Sequence, residues 1–135
     1  MPLGFIFEYR ASADAITFFF DAIKLRNAFL AFITDREDGI PALGNMAITA
    51  PTRLGDMPIV SSALPLTNFK YEVLAKAVSE MMGKKLGSAV FVFLDVHFES
   101  TNMKIAKALK LSVDEFCKII LKKMNPDTLE EEPED

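Results

Sequence analysis

Ala89-Val90-Phe91-Val92-Phe93-Leu94-Asp95-Val96-His97-Phe98 is the stretch on which the fold turns. β-Branched and aromatic residues fill it, and both alternate sets are apolar up to Asp95. A strand with that composition needs cover on both faces, so the segment is predicted to lie centrally in a sheet.

Upstream, Leu3 to Tyr9 alternates as a strand does, a second strand is expected from Ala15 to Leu25, and Ala28 to Thr34 is again apolar on both faces. Glu37-Asp38-Gly39 reads as a hairpin turn into a fourth strand at Asn45 to Ala50, because glycine takes positive φ without cost. Pro58 opens a fifth strand, Ile59 to Leu64, where a proline sacrifices no ladder hydrogen bond. Beyond Pro65 the period changes to that of a helix. Tyr71, Leu74, Val78, Met81 and Leu86 form one stripe, so Asn68 to Lys85 is predicted helical and Gly87 ends it.

Downstream, Val113, Phe116, Cys117, Ile120, Leu121 and Met124 follow the spacing of an amphipathic helix. Ser112-x-x-Glu115 has the form of a capping box, which predicts a break near Leu111 between helices at Thr101 to Lys110 and Val113 to Met124; one kinked helix is the alternative. The fold class is therefore α+β: a single antiparallel sheet of roughly six strands with two or three helices on one face. Two or three helices cannot cover both faces. Either the strands around Phe5 to Phe7 and Phe18 to Phe20 fold over the second face as a sandwich, or a second subunit covers it, and the expectation is dimerisation.

Composition narrows the function. With 135 residues, half of them hydrophobic, twelve Phe and no Trp, the chain has the size and core of one domain. Six of the nineteen acids lie in the last ten residues with no base among them, so the formal charge of −4 becomes +2 for the other 125. The expected organisation is a domain over 1–125 and a disordered acidic tail over 126–135. A nearly neutral body without a Lys/Arg stripe gives no case for nucleic acid. The apolar run Ala15 to Phe20 is cut by Asp21, short of the roughly 20 residues that a membrane span requires. The lone Cys117 fits a reducing compartment, so a cytoplasmic or nuclear protein is expected.

Catalytic and cofactor chemistry finds little support. One His and one Cys cannot build a structural zinc site, and Asp35, Glu37 and Asp38 lack calcium-loop spacing. His97 is read as structural and Cys117 as a small core hydrophobe. Gly39, Gly44 and Gly55 are dispersed rather than gathered into a phosphate loop, while Lys84 and Lys85 suit a helix C-terminus. The chain is expected to bind proteins, with no catalytic residue, cofactor or metal.

Leu43-Gly-Asn45-Met-Ala47-Ile48-Thr-Ala-Pro-Thr-Arg53-Leu-Gly-Asp56-Met57-Pro58-Ile-Val-Ser61-Ser62-Ala-Leu64 carries a resemblance. It is similar to the paired-strand signature of the proteasome assembly chaperone 3/4 family, in which Asn-x-Ala-apolar leads through Ser/Thr-Arg to a proline and a Ser/Thr-rich strand. The similarity extends over about Ile16 to Met124, through the apolar strand Ala28 to Thr34 and the helix ending in Lys84-Lys85. Pro51, Gly55 and a longer segment at Met103 to Leu111 depart from the pattern. The resemblance implies a cofactorless chaperone that pairs with an assembly chaperone 3-like partner, or with itself, and holds a proteasome α-type subunit while the α-ring forms. The rival reading is a small dimeric scaffold of the trafficking or motor type.

Partner contacts are expected on the loops Asp35 to Asn45 and Pro51 to Met57, since loops on a rigid sheet concentrate binding residues. The candidates are Arg53, Asp35, Asp56 and Met57, with Arg53 able to grip a carboxylate through two hydrogen bonds.

Overall fold

A computed structural model describes residues 5–50, 60–64, 69–99 and 101–125. Among them run β1 (Phe5–Ala13), β2 (Ile16–Lys24), β3 (Ala28–Thr34), β4 (Asn45–Ala50), β5 (Val60–Leu64), a 3₁₀ turn (Phe69–Tyr71), α1 (Glu72–Leu86), β6 (Ala89–Asp95) and α2 (Met103–Met124). The strands form one sheet in the order β1-β2-β3-β6-β4-β5. The two strands that are apolar on both faces, β3 and β6, lie side by side in its middle, where cover is available.

They are also parallel, Phe29 opposite Val90 and Ile33 opposite Leu94, whereas every other pairing is antiparallel. The sheet is thus mixed, not wholly antiparallel as expected. It follows that β3 and β4 do not form a hairpin, because β6 pairs with both and separates them. Residues 35–44 have only to step over one strand, about 10 Å at the usual spacing of neighbouring strands. β1 and β2 continue the sheet to one edge and do not fold over it as a sandwich.

Both helices pack on one face. Phe7, Phe18, Phe20, Phe29, Ile33, Ala47, Val90, Val92 and Leu94 are buried there, and each large apolar side chain contributes roughly 1.5–3 kcal/mol by leaving water. Phe116 of α2 is fully buried against two rings, 5.3 Å from Phe20 and 6.1 Å from Tyr9 between centroids. Under α1 a polar pair is enclosed: Ser79 Oγ donates to the Lys76 carbonyl at 3.0 Å, leaving Thr49 Oγ1 to donate to Ser79 at 2.6 Å. That network joins β4 to α1 without an orphaned hydroxyl.

The last helix is one continuous element, not two. Ser112 Oγ bonds the Ala108 carbonyl at 2.9 Å instead of capping a new helix. Ile105, Leu109, Val113, Phe116, Cys117 and Ile120 form an unbroken buried stripe, and that packing overrides the local signal. The true N-cap is Asn102, whose Oδ1 accepts the Ile105 amide at 3.2 Å. α1 ends as its sequence predicts, at Gly87 with φ 62°, whose amide bonds the Gly83 carbonyl at 2.8 Å.

β6 stops at Asp95, three residues short of the expected Phe98. Val96 and Phe98 turn down into the helix-side core, and Tyr71 donates its hydroxyl to the Phe98 carbonyl. No helix among the described residues is long and apolar enough to cross a membrane. The proposed tail, 126–135, lies outside the described residues.

Candidate interaction site

Two features stand out on the side of the sheet away from the helices. The first is the sheet face itself. Strand alternation places Leu30 and Phe32 of β3, Phe91 and Phe93 of β6, and Met46 and Ile48 of β4 on it, in one register. All six are only half-buried, in contrast to their fully enclosed neighbours on the helix side. The Phe32 and Phe93 rings stack at 5.3 Å and 15°. At the β1–β2 edge the face becomes polar, where Asp21 lies opposite Glu8. Burial first, and then the Glu8 charge, raise the Asp21 carboxyl above its ordinary value.

The second feature is the link 35–44, which leaves β3 and crosses the end of β6 to reach β4. Its start is held by a polar network at the ends of the two parallel strands. Asp35 Oδ2 accepts the His97 amide at 2.8 Å, and its Oδ1 lies 2.9 Å from His97 Nδ1. Asp95 Oδ2 accepts from Thr34 Oγ1 at 3.0 Å and from Arg36 Nε at 3.1 Å. His97 Nδ1 donates to Asp35, while Nε2 faces both Arg36 Nη2 at 3.2 Å and Asp95 Oδ1 at 3.4 Å. The carboxylates are enclosed, with Asp35 6% and Asp95 7% exposed as side chains.

The rest of the link is fixed as firmly. Asp38 Oδ1 accepts the Ile40 amide at 3.0 Å, an Asx turn, and Gly39 follows at φ 64° against the Phe19 ring. Gly44 passes so close to the Leu94 carbonyl that a Cβ there would strike backbone. Held in this way, the link leaves Ile40 62% and Leu43 66% exposed. Beside it an open hollow of about 800 Å³ is lined by Ile16, Asp35, Arg36, Glu37, Asp38, His97 and Phe98.

A histidine between two aspartates invites comparison with acid–base catalysis. Here Nδ1 lies 2.9 Å from Asp35 and Nε2 3.2 Å from Arg36 Nη2 and 3.4 Å from Asp95 Oδ1, and among the described residues no hydroxyl or thiol is hydrogen-bonded to either nitrogen as a nucleophile would be. Cys117 lies in the core under α2, and burial pushes its thiol up to about 12, which keeps it unreactive. Lys85 pairs with Asp114 at 2.6 Å and ties α1 to α2. Among the described residues no cluster of His, Cys, Asp or Glu has the arrangement to hold a metal ion.

Of the four residues singled out in the sequence, Asp35 belongs to the network at the root of the link, and Arg53, Asp56 and Met57 lie outside the described residues. Their loop joins Ala50 to Val60, which sit at the opposite end of the sheet from Thr34 and Asn45. Sequence reasoning missed Ile40 and Leu43 as the exposed side chains of the link, and missed Thr34, Arg36 and Asp95 as its anchors. A signal existed in Thr34-Asp35-Arg36 and Asp95-x-His97, each directly at a strand end, but it becomes readable only once β3 and β6 are known to be parallel neighbours.

No family model matches the chain, and no curated protein does. A solved structure shares the fold: the crystal structure of a chaperone complex for yeast 20S proteasome assembly superimposes with a TM-score of 0.56. The match covers 87% of this chain and 96% of that one at 13% identity. At that identity the likeness shows the fold alone.

Proposed function

We propose that this chain is a non-catalytic chaperone of 20S proteasome assembly, binding an α-type subunit while the α-ring forms and working as a homodimer or with an assembly chaperone 3-like partner. The observation that carries the reading is the fold, which over 87% of the chain matches that of a chain in a chaperone complex for yeast 20S proteasome assembly. The resemblance of Leu43 to Leu64 to the chaperone 3/4 signature supports it independently, since it was drawn from residues and not from shape. The open face of Leu30, Phe32, Phe91, Phe93, Met46 and Ile48 supports the dimer: a contiguous apolar surface of that kind on a small protein marks an interface. An assembly factor of this sort acts by occupying subunit surface that the finished particle later covers, and it needs no cofactor to do so. A cytoplasmic or nuclear location follows from that role.

The test is reconstitution. The purified chain, alone and with a chaperone 3-like partner, is mixed with each isolated proteasome α-type subunit and resolved by size exclusion with light scattering. A complex with an α-type subunit, and no association with completed 20S particles, is the expected result. Failure to bind any α-type subunit in either form removes the reading.

A further inference from the structure

We infer that the end of the sheet where β3 and β6 finish is the surface that docks the client, with Ile40 and Leu43 as apolar anchors. The partner surface that fits it is an apolar hollow with a basic rim. The inference rests on the proposed chaperone reading and specifies which side of the molecule carries it out.

Three observations converge on this end. Exposed aliphatic side chains gather there: Ile40 and Leu43 on the link, Val73 (79% exposed) in the first turn of α1, and Met103 (74%) at the start of α2. Both helices begin at this end, because Tyr71 just before α1 bonds Phe98, and α2 starts five residues after Phe98. On the link the unpaired charges are acidic, while the bases of this end sit at the helix starts, Lys70 just before α1 and Lys104, 3.7 Å from Asp14, in the first turn of α2. Glu37, Asp38 and Glu99 are exposed and form no ion pair among the described residues, while Arg36 is held by Asp95. The opposite end carries Arg26, Lys84, Lys122 and Lys123. An acidic rim around aliphatic anchors selects a partner with Lys or Arg around an apolar hollow, and steers its approach.

The third observation is rigidity. The link is not a loose connection: its shape is set by Asp35 and Asp95 at one end, by Gly44 against β6 at the other, and by the Asp38 turn between. Apolar side chains displayed on a segment already fixed lose little entropy on binding, which is what a docking anchor requires. Val73 and Met103 also remain available when the open face is covered by a second subunit, since they lie on the helix side of the sheet.

The experiment uses the full chain, in the oligomeric form that binds, and the isolated α-type subunit found by reconstitution, with affinity measured by calorimetry. Ile40→Asp/Leu43→Asp should weaken binding by about tenfold or more, the effect of removing central apolar anchors. Leu111→Asp, on an equally exposed aliphatic of α2 (62%), should leave affinity unchanged. Glu37→Lys/Glu99→Lys, which alters no buried group, should slow association and do so most at low salt. Circular dichroism and light scattering on each variant establish that fold and oligomeric state are kept. Unchanged affinity in both the anchor and the charge variants, with wild-type binding intact, overturns this inference and leaves the chaperone reading standing. Loss of the dimer in the Ile40/Leu43 variant overturns it too, by assigning the link to the subunit seam. Absence of wild-type binding removes the chaperone reading and this inference together.

Discussion

Asp35 grips His97 twice, through the backbone amide at 2.8 Å and through ring Nδ1 at 2.9 Å, across 62 residues of chain. One carboxylate thereby fastens the exit of β3 to the exit of β6, and the link that displays Ile40 and Leu43 starts from that clasp. Asp35→Ala should cost about 1 kcal/mol, because the His97 amide and ring nitrogen lose their acceptor together but, being open to water, can bond solvent instead. Chemical denaturation measures the cost, and hydrogen exchange should show faster exchange over residues 36–44 than over α2. A silent substitution by both measures would mean that the clasp does not hold the link.

The open sheet face predicts oligomeric state. The wild-type chain should form a dimer or require a partner to stay in solution, and Phe32→Asp/Phe93→Asp should give a folded monomer, since neither ring is part of the helix-side core. Light scattering with circular dichroism decides. A wild-type monomer that stays soluble at high concentration would remove the interface.

α2 meets β1 and β2 through Phe116, fully buried against Tyr9 and Phe20. Phe116→Ala should destabilise by about 3–5 kcal/mol, the range for a large aromatic truncated in a closed core. A loss under 1 kcal/mol, roughly what a solvated ring would give, would show that the helix does not close over β1 and β2 as described.

The Lys85–Asp114 pair predicts the pH flanks of stability. The hydrogen bond from Lys85 holds the Asp114 carboxyl below its ordinary 3.8, and the same bond lifts the Lys85 ammonium above its ordinary 10.5. A depressed acid contributes stability above its unfolded value that is lost as pH falls through its folded one. A raised base contributes below its unfolded value, and that is lost as pH rises through its folded one. The pair should therefore stabilise across the neutral range and fail below about pH 4 and above about pH 10. Urea midpoints against pH should be flatter on both flanks in Asp114→Asn than in wild type; identical curves would show an ion pair without thermodynamic weight.

By itself the sequence determined the elements that depend on local periodicity. β3 and β4 fall where alternation places them, Gly87 ends α1, and the apolar run from Ala89 is a central strand. Each of these is settled by which side chains must be out of water on a given element. Only the tertiary structure decided the pairings. That β6 slips between β3 and β4, parallel to one and antiparallel to the other, turns an apparent hairpin into a crossing link and brings Asp35 to His97. The capping signal at Ser112 lost to a buried stripe that runs past it. Strand order and helix continuity are set by contacts between segments tens of residues apart, and neighbouring residues in the chain carry no record of which distant strand will cover them.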